Sequence, residues 1–366
     1  MSKTNVKRVV FTCDTMGSGG AEKVIASLSN CMAKKGIDVT IIGVSDIKQA
    51  NSFYNLCGVK YVSLGEGHPK RINSFKRVRM LKSLLKSISP DAVISFLPHI
   101  SVYTFFALLG TDITHIVSER NNPYIDPKGK LLRTLKKVAF KHADGCVFQT
   151  KQSMEFYPKK VQMKSVIIPN PISLEFIPQE SKIIRNKIVL AVGRLEKQKN
   201  YYCLIDAFAV FNKRMNDTYL LRIFGEGSLK EDLIKYCEIK GVGNYAQFMG
   251  NNPNWHKEEY KDAMYVLSSD YEGMPNSLAE AIALGIPSIS TDSPSGGSRE
   301  LIKDGYNGYL VPVGDSEIMS QKMIDVINKN PFSNFDCKEF AKSFSESKIT
   351  DLWIDYISKI KNVRYE

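Results

Sequence analysis

The sequence contains no apolar run that approaches the roughly 20 residues needed for a helix to cross a bilayer. Its most apolar stretch, VYTFFALLG at 102–110, is far too short. The basic N-terminus, MSKTNVKRVVFTCD, loses its apolar character after Phe11 and is typical of a first β-strand rather than a signal peptide. We therefore expect neither a transmembrane helix nor a secretory leader.

Closely spaced cysteines are also missing. The seven cysteines include no C-x-x-C pair, and they lie in apolar stretches such as VVFTC and GCVF. This distribution predicts buried, reduced thiols and therefore a reducing compartment.

Acidic residues are scarce in the first half of the chain. Residues 1–165 contain 26 Lys and Arg against 11 Asp and Glu, whereas the remaining residues contain 24 against 27. The whole net charge of +12 therefore comes from the first half. Such asymmetry suggests that this half faces a polyanion, which could be nucleic acid, an anionic membrane or a phosphorylated substrate.

The composition and the order of patterns predict two α/β domains. An apolar content of 43% with 24% charged residues is typical of a soluble globular protein, and 366 residues suffice for two cores. Short apolar runs alternate with helical patterns in both halves, which indicates strands buried on both faces of parallel sheets. The predicted strands are 7–14, 38–45, 59–64, 91–97, 114–119 and 145–150 in the first half, and 187–194, 219–227, 245–250, 265–270, 287–292 and 308–314 in the second.

We predict a fold of two doubly wound, Rossmann-like domains that face each other across a cleft. The first domain would span 1–168, a proline-containing linker 169–186, and the second domain 187–345. Residues 346–366 have the pattern of a final amphipathic helix. Ligands of open parallel sheets bind beyond the carboxyl ends of the strands, so the functional residues should lie in the loops that follow strands.

The stretch SSDYEGMPNSLAEAIALGIP at 268–287 places two carboxylates around a helix start. Asn276 is a favourable N-cap for a helix over 277–284, Glu272 precedes it, and Glu280 would lie in its first turn. The amides at a helix N-terminus bind anions, and carboxylates accept hydrogen bonds from hydroxyl groups. Phosphate and hydroxyl groups together describe a nucleotide sugar.

Three other loops after strands carry compatible groups. VGRLEKQKN at 192–200 contains Arg194 and Lys199, a pair of cations suited to a diphosphate. FGEG at 224–227 and GSGGAE at 17–22 are glycine turns through which a backbone can closely approach a ligand.

Together, the E-x7-E spacing in EGMPNSLAE, the GRLEKQKN loop, the FGEG turn and the GSGGAE loop resemble the family 4 glycosyltransferases, which are retaining enzymes with the GT-B fold. The resemblance covers nearly the whole chain and is strongest over 187–315. It implies that Arg194 and Lys199 hold the donor diphosphate, that Glu280 contacts the ribose and Glu272 the transferred sugar, and that the C-terminal helix returns to the N-terminal domain. It also implies a donor site that comprises Gly19, Gly20, Gly225, Glu226, Gly273, Met274, Pro275, Asn276, Ser277 and Glu280.

The same resemblance implies front-face substitution, in which the departing phosphate oxygen takes the proton of the acceptor. The protein then supplies positioning and charge stabilisation. The sequence shows no D-x-D pair, so we expect no metal and no other cofactor.

The chain departs from many relatives in the loop THIVSERNNP at 114–123, where a histidine is usual. The SERN stretch is similar to that of bacterial surface-polysaccharide transferases, several of which use UDP-N-acetylhexosamines. Glu119 and Arg120 are therefore candidate catalytic residues, and His99 in FLPHIS is a candidate for the acceptor side. A lipid-linked saccharide would be the acceptor, with a GDP-sugar or a UDP-hexose as the alternative donor.

Two basic helical stretches, 70–87 and 128–142, suggest that the first domain docks on an anionic membrane from the cytoplasmic side. In the first stretch the periodicity places Phe75, Val78, Leu81 and Leu85 on one apolar face. The structural alternative is a pair of surface helices that merely cover the sheet.

Each of the other features also has a structural alternative. Glu280 could complement the helix dipole, GSGGAE could be a tight turn, His99 could be a packed histidine, and Glu119 and Arg120 could form a loop ion pair. Two other functions are less compatible with the sequence. A nicotinamide-dependent dehydrogenase would need the G-x-G-x-x-G spacing that GSGGAE lacks, and a nucleic-acid-binding protein would need aromatics among its basic patches.

Overall fold

A computed structural model describes residues 6–45, 52–65, 73–172, 186–252, 254–256, 264–329, 331–332 and 334–365. The chain forms two compact units. Unit 1 consists of Met1–Pro171 together with Phe344–Glu366, and unit 2 consists of Ile172–Ser343.

Unit 1 contains a parallel sheet of seven strands in the order β3-β2-β1-β4-β5-β6-β7. The strands are β1 (Arg8–Cys13), β2 (Asp38–Gly43), β3 (Val59–Ser63), β4 (Ala92–Phe96), β5 (Thr114–Ser118), β6 (Gly145–Phe148) and β7 (Ser165–Ile167). The helices are α1 (Gly20–Lys34), α2 (Ser74–Ile88), α3 (Pro98–Leu108), α4 (Lys130–His142), α5 (Lys151–Glu155) and α6 (Lys159–Gln162).

Unit 2 contains a parallel sheet of six strands in the order β10-β9-β8-β11-β12-β13. The strands are β8 (Ile188–Val192), β9 (Leu220–Phe224), β10 (Ala246–Gly250), β11 (Met264–Leu267), β12 (Ser288–Thr291) and β13 (Gly308–Val311). The described helices are α7 (Tyr201–Arg214), α8 (Lys230–Ile239), α9 (Asn276–Ala283), α10 (Ser316–Lys329) and α11 (Cys337–Ser343).

Both sheets reverse their strand order at one point, which is where ligands bind in doubly wound folds. In unit 1 the reversal lies between β1 and β4, and in unit 2 it lies between β8 and β11. The loops that follow β8 and β11 are the two that carry Arg194, Lys199 and Glu272. The topology therefore brings these sequence motifs to the switch point of unit 2.

The last helix, α12 (Glu346–Tyr365), belongs to unit 1 although it is 175 residues removed from the end of the N-terminal segment at Pro171. Trp353 and Ile357 of this helix are fully buried and pack with Phe96 and Ile116 of the sheet. Tyr356 donates a hydrogen bond from its hydroxyl to the carbonyl oxygen of Lys164 and accepts one from the Cys146 amide. Helix α12 thus completes the hydrophobic core of unit 1.

Several local predictions were wrong. Ser165–Ile167, for which the sequence predicts no strand, forms the short edge strand β7. Helix α9 begins at Asn276 rather than after it, with Pro275 at the N-cap and no side-chain cap. Phe75 is 82% exposed, whereas Leu81 and Leu85 are buried as predicted. Most of the predicted linker, residues 173–185, lies outside the described residues.

Candidate active site

The loops after β8 and β11 are joined by backbone and side-chain hydrogen bonds. The Asp270 amide donates to the Gln198 carbonyl oxygen at 2.9 Å, and Gln198 Nε2 donates to the Tyr271 carbonyl oxygen at 2.8 Å. Asn200 caps α7 from a left-handed conformation with φ of 43°, and its Nδ2 donates to Asp270 Oδ1 at 2.7 Å. These contacts fix the two loops relative to each other at the switch point.

Lys199 and Glu272 form an ion pair within this frame. Lys199 Nζ lies 2.6 Å from Glu272 Oε1, and the two side chains are 13% and 11% exposed. Ser269 Oγ donates to the same oxygen at 2.7 Å. The ammonium group and the carboxylate are therefore held in one orientation, and only a small part of each side chain is exposed to water.

Glu280 lies on the buried side of α9. It is the fifth residue of the helix rather than a first-turn residue, and it is 6% exposed. The phenol of Tyr265 lies near it and donates to Ser277 Oγ at 2.7 Å. Burial raises the pKa of Tyr265 well above its usual value, and the charges of Glu272 and Glu280 act in the same direction. Both predicted carboxylates thus approach one neutral phenol.

Three glycines allow the loops around this site to make close backbone contacts. A Cβ atom on Gly225, which has φ of +143°, would lie 1.9 Å from the Gly193 carbonyl oxygen. A Cβ on Gly227 would lie 2.4 Å from the Leu195 carbonyl oxygen, and one on Gly297 would lie 1.6 Å from that of Gly273. Larger residues at these positions would force the loops apart.

The remaining predicted donor residues of unit 2 differ in exposure. Arg194 and Glu226 are exposed, and Lys230 Nζ lies 2.9 Å from Glu226 Oε1. Gly273, Met274 and Pro275 are buried, whereas Asn276 and Ser277 are half-buried. Pro275 has no amide hydrogen, so its backbone cannot donate a hydrogen bond to the donor sugar.

In unit 1, Gly19 and Gly20 stand at the start of α1, in the loop that follows β1. His99 lies in the first turn of α3, at the other side of the switch point, and its Nε2 is 3.4 Å from Asp14 Oδ1. This hydrogen bond lowers the pKa of Asp14. The structure therefore brings His99 to a carboxylate at the carboxyl edge of the sheet.

Glu119 is buried in the interior of unit 1. Its Oε2 atom lies 2.5 Å from Lys136 Nζ of α4 and accepts a hydrogen bond from the Tyr157 hydroxyl at 2.7 Å. Lys136 also donates to the Asp126 carbonyl oxygen at 3.0 Å. The partner of Glu119 is therefore Lys136 rather than Arg120, and this pair ties the loop after β5 to α4.

Arg120 packs between aromatic rings. Its guanidinium carbon lies 4.0 Å from the centre of the Phe96 ring and 5.6 Å from that of Trp353. Its Nη1 donates to Asn170 Oδ1 at 2.7 Å. Burial lowers the pKa of Arg120, although the charge of Glu119 opposes that shift. Glu119 and Arg120 are thus neighbours in sequence with separate surroundings.

The residues that the structure describes contain no group of three or more His, Cys, Asp or Glu side chains placed to hold a metal ion. All seven cysteines are free thiols. Among the described helices, none is long and apolar enough to span a bilayer.

Two further hydroxyl groups, which the sequence does not single out, bind the backbone of the loops around this site. The hydroxyl of Ser295, in the loop after β12, donates to the Glu272 carbonyl oxygen. The Tyr201 hydroxyl donates to the Gly193 carbonyl oxygen at 2.9 Å. A glycine pair in the loop that follows a strand, at Gly296 and Gly297 in SPSGGS, is a signal that could have identified this loop.

Comparisons with known proteins identify the family to which the chain belongs. Residues 174–346 match the family "Glycosyl transferases group 1", and residues 18–176 match "Glycosyltransferase Family 4". A GalNAc-alpha-(1->4)-GalNAc-alpha-(1->3)-diNAcBac-PP-undecaprenol alpha-1,4-N-acetyl-D-galactosaminyltransferase of Campylobacter jejuni is 29% identical over 366 residues, which cover 97% of this chain and 99% of that protein.

A second Campylobacter jejuni protein, an N-acetylgalactosamine-N,N'-diacetylbacillosaminyl-diphospho-undecaprenol 4-alpha-N-acetylgalactosaminyltransferase, is 27% identical over 94% of this chain and 97% of its own length. Among solved structures, the pneumococcal O-GlcNAc transferase GtfA in complex with UDP and GlcNAc superposes with a TM-score of 0.76. That match covers 97% of this chain and 99% of the other at 15% identity.

The two parallel sheets and their structural neighbours define a protein of the GT-B fold, and the family matches define it as a glycosyltransferase. The chain belongs to the group 1 and family 4 glycosyltransferases, whose matches together extend over residues 18–346.

Proposed function

We propose that this glycosyltransferase transfers an N-acetylhexosamine from a UDP-sugar to a membrane lipid-linked saccharide in surface-polysaccharide biosynthesis, with retention of configuration. Two relatives that cover nearly the whole chain are named as N-acetylgalactosaminyltransferases that act on undecaprenyl-diphosphate-linked saccharides. Their names support the proposed sugar and acceptor.

The observation that carries the proposal is the placement of the Lys199–Glu272 pair at the switch point of unit 2. A nucleotide sugar presents a diphosphate and sugar hydroxyls at adjacent positions. Lys199 offers a cation to the diphosphate, and Glu272 offers a hydrogen-bond acceptor to the sugar hydroxyls. Arg194 is exposed on the same loop as Lys199, so its guanidinium is accessible to a diphosphate. Glu280 is assigned to the ribose of the donor.

In the proposed reaction the acceptor hydroxyl oxygen forms a bond to the anomeric carbon while the bond from that carbon to the diphosphate oxygen breaks. The hydroxyl proton passes to the departing diphosphate oxygen on the same face. Arg194 and Lys199 stabilise the negative charge that develops on the diphosphate. The protein therefore needs no nucleophile of its own, and we assign this role to none of its side chains.

We propose that the diphosphate charge is neutralised by side chains and not by a divalent cation. Dialysis against EDTA should therefore leave turnover within a factor of two of the untreated enzyme. Loss of activity that Mg²⁺ or Mn²⁺ restores would contradict this part of the proposal.

Calorimetric titration of UDP, GDP and NAD into separate samples tests the donor site. We expect UDP to bind and Glu280→Gln to weaken that binding about 10- to 100-fold, because a hydrogen bond to a charged group is lost. Glu231→Gln is the matched control, since Glu231 is an exposed glutamate on α8 of the same unit. Binding of GDP instead would change the donor, and binding of NAD alone would contradict the proposed function.

Turnover with different donors identifies the sugar. With an undecaprenyl-diphosphate-linked saccharide as acceptor, UDP-N-acetylhexosamines should be used in preference to UDP-hexoses and GDP-sugars. Preference for a UDP-hexose would keep the reaction class and change the transferred sugar.

We also propose that unit 1 docks on an anionic membrane surface from the cytoplasmic side. Helices α2 and α4 contain no acidic residue, and Lys76, Arg79, Lys86, Lys137 and Lys141 are exposed on them. Each cation near an anionic surface contributes about 1 kcal/mol to binding. The triple variant Lys76→Glu, Arg79→Glu and Lys86→Glu should therefore lose sedimentation with anionic vesicles, whereas Lys213→Glu in unit 2 should not.

A further inference from the structure

Two helices of unit 1 begin with a large apolar side chain that projects into solvent. Phe75 is the second residue of α2 and is 82% exposed, and Leu131 is the second residue of α4 and is 74% exposed. Neither side chain contributes to the core that the remaining apolar residues of these helices form. Exposure of this degree is unfavourable in water, so these positions are candidates for contact with an apolar phase.

The topology places both side chains at the same edge of unit 1. Helix α2 precedes β4 and α4 precedes β6, and all strands of the sheet are parallel. Both helices therefore start at the carboxyl edge of the sheet, where the strands end. Helix α3 packs between them, which separates the two helix starts by about 20 Å at typical helix packing distances.

Positive charge and an aromatic hydroxyl lie close in sequence to these two positions. Lys76 follows Phe75 directly, and Lys128 and Lys130 precede Leu131, all of them exposed. Tyr124, in the loop that leads to α4, is 48% exposed. Tyrosine is enriched at membrane interfaces, and lysine complements anionic headgroups. This chemistry fits an anionic lipid surface better than a protein groove, because each exposed apolar side chain has exposed lysines next to it in the sequence.

We propose that Phe75 and Leu131 insert into the acyl region of an anionic bilayer, so that the carboxyl edge of the unit 1 sheet faces the lipid. The proposal rests on the membrane docking proposed above. It adds how deeply unit 1 enters the bilayer and which edge of its sheet faces the lipid. Electrostatic attraction by itself gives weak and salt-sensitive binding, and apolar insertion supplies the second contribution that stable anchoring requires. The edge that faces the membrane is the one on which His99 and the loop after β1 lie.

Tryptophan fluorescence tests insertion directly. The natural tryptophans, Trp255 and Trp353, are both buried, so a new surface tryptophan reports on its own surroundings. Phe75→Trp and Leu131→Trp should shift to the blue on anionic vesicles and should be quenched by lipids brominated on the acyl chain. Met163→Trp is the matched control, because Met163 is 87% exposed and has the basic neighbours Lys159, Lys160 and Lys164. Met163 lies two residues before β7 and is therefore at the opposite, amino edge of the same sheet.

The outcomes separate insertion from docking. Quenching at positions 75 and 131 but not at 163 supports the proposal. Vesicle binding without quenching at 75 and 131 would overturn insertion and leave electrostatic docking intact, and equal quenching at all three positions would overturn the orientation. Absence of vesicle binding would overturn both docking and insertion.

A second measurement does not depend on a reporter group. Phe75→Ser and Leu131→Ser should each lower partitioning into anionic vesicles about tenfold, and binding should then become more sensitive to salt. Turnover of a water-soluble acceptor saccharide should stay unchanged, because neither residue belongs to the active site. Unchanged partitioning in both variants would contradict the proposal.

Discussion

At the scale of single residues, the orientation of Lys199 depends on Glu272, which is itself a proposed substrate contact. Their ion pair is largely shielded from water, so removal of one charge leaves the other without compensation in a poorly solvated place. Ser269 fixes the carboxylate from a second direction. The two charged side chains should therefore behave as one unit in folding as well as in turnover.

A double-mutant cycle with Lys199→Met and Glu272→Gln tests this coupling. Each single substitution should lower the free energy of unfolding by about 3 kcal/mol, because it isolates the remaining buried charge. The double variant should lose less than the sum of the two, and urea unfolding measures all four corners of the cycle.

The control is the exposed pair of Arg8 and Asp38, with Nε and Oδ2 at 2.9 Å. An equivalent cycle there should give a coupling of about 0–1 kcal/mol. Equal coupling in both cycles would mean that burial contributes nothing to the Lys199–Glu272 interaction.

His115 makes the stability of unit 1 depend on pH. Its Nε2 lies 2.9 Å from Ser95 Oγ, and burial lowers its pKa from 6.5 to about 3, with the charge of Lys164 acting in the same direction. Protonation of His115 then favours the unfolded chain. The stability that unit 1 has with a neutral His115 is therefore fully present above pH 6.5 and is lost as the pH falls towards 3. Between pH 6 and pH 4 this group alone should cost about 1.4 kcal/mol per pH unit.

Urea unfolding of unit 1 at several pH values checks this expectation. His115→Gln should flatten the loss of stability between pH 6 and pH 4, whereas His142→Gln, at an exposed position, should not. An identical pH profile in wild type and His115→Gln would contradict it.

The sequence identifies individual site residues better than it identifies their partners. Lys199 and Glu272 stand out because each follows a buried strand, but they are 73 positions apart and no pattern joins them. Glu119 and Lys136 show the same difficulty, since a buried ion pair depends on packing that the local sequence does not encode. The supporting hydroxyl of Ser269 has no distinctive sequence context either, whereas Ser295 directly precedes the glycine pair of its loop.

At the scale of elements, the loop after β12 supports the loop that carries Glu272. Gly297 lies against the Gly273 carbonyl oxygen, and the Ser295 hydroxyl binds the neighbouring carbonyl oxygen of Glu272. The position of the Glu272 carboxylate thus depends on a close backbone contact between Gly297 and Gly273. This contact leaves no room for a side chain at position 297.

Gly297→Ala should displace the Glu272 loop and lower turnover about 100-fold, since displacement by about 1 Å can have this effect on a reacting geometry. Steady-state kinetics measures the change, and circular dichroism shows whether the fold persists. Gly129→Ala is the control, because a Cβ there meets nothing within 4 Å and the backbone is extended. Full activity in Gly297→Ala would show that the loop tolerates the shift.

Helix α12 fills the side of the unit 1 sheet on which α1 also packs. Trp353→Ala should lower the free energy of unfolding by about 3–5 kcal/mol, the usual cost of deleting a large buried aromatic side chain. Leu352→Ala, at the adjacent and 42% exposed position, should change it by less than about 1 kcal/mol. Thermal unfolding of both variants compares the two faces of one helix, and equal losses would contradict the observed burial.

The sequence predicts long elements and misses short or terminal features. All twelve predicted strands exist, because continuous apolar runs between turn residues are a strong signal of buried parallel strands. The three-residue strand β7 carries too little pattern to be distinguished from the proline-containing stretch that follows it. Phe75 is wrongly predicted to be buried because the helical period gives only the direction in which a side chain points from the helix axis. It does not show where along the helix the contact with the sheet ends.

At the scale of the whole molecule, each unit has its own sheet and its own hydrophobic core. The proposed donor residues belong to unit 2, except Gly19 and Gly20, which belong to unit 1. UDP should therefore stabilise unit 2 more than unit 1. At 100 times its dissociation constant, UDP should raise the free energy of unfolding of unit 2 by about 2.7 kcal/mol.

Hydrogen exchange measured by mass spectrometry distinguishes the two units in one sample. Peptides from β8, β9 and β11 should exchange more slowly in the presence of UDP, whereas those from β1, β4 and β5 should change less. Equal protection of both sets would show that the units unfold as one cooperative body.

The charge distribution and the order of elements were predictable at this scale, whereas the burial of α12 in unit 1 required the structure. Its amphipathic pattern predicts that one face is buried but does not say against which sheet. The family resemblance supplied that expectation, and Trp353 and Ile357 show how the contact is made.

The composition of unit 1 from two distant segments has a consequence for biosynthesis. The ribosome produces Met1–Pro171 first, then all of Ile172–Ser343, and only then the segment that contains α12. At about 5–20 residues per second, the nascent N-terminal segment waits roughly 10–30 s with part of its apolar face uncovered. The part of the protein that is made first is therefore completed last, and during this interval it is an expected client of chaperones that bind nascent chains.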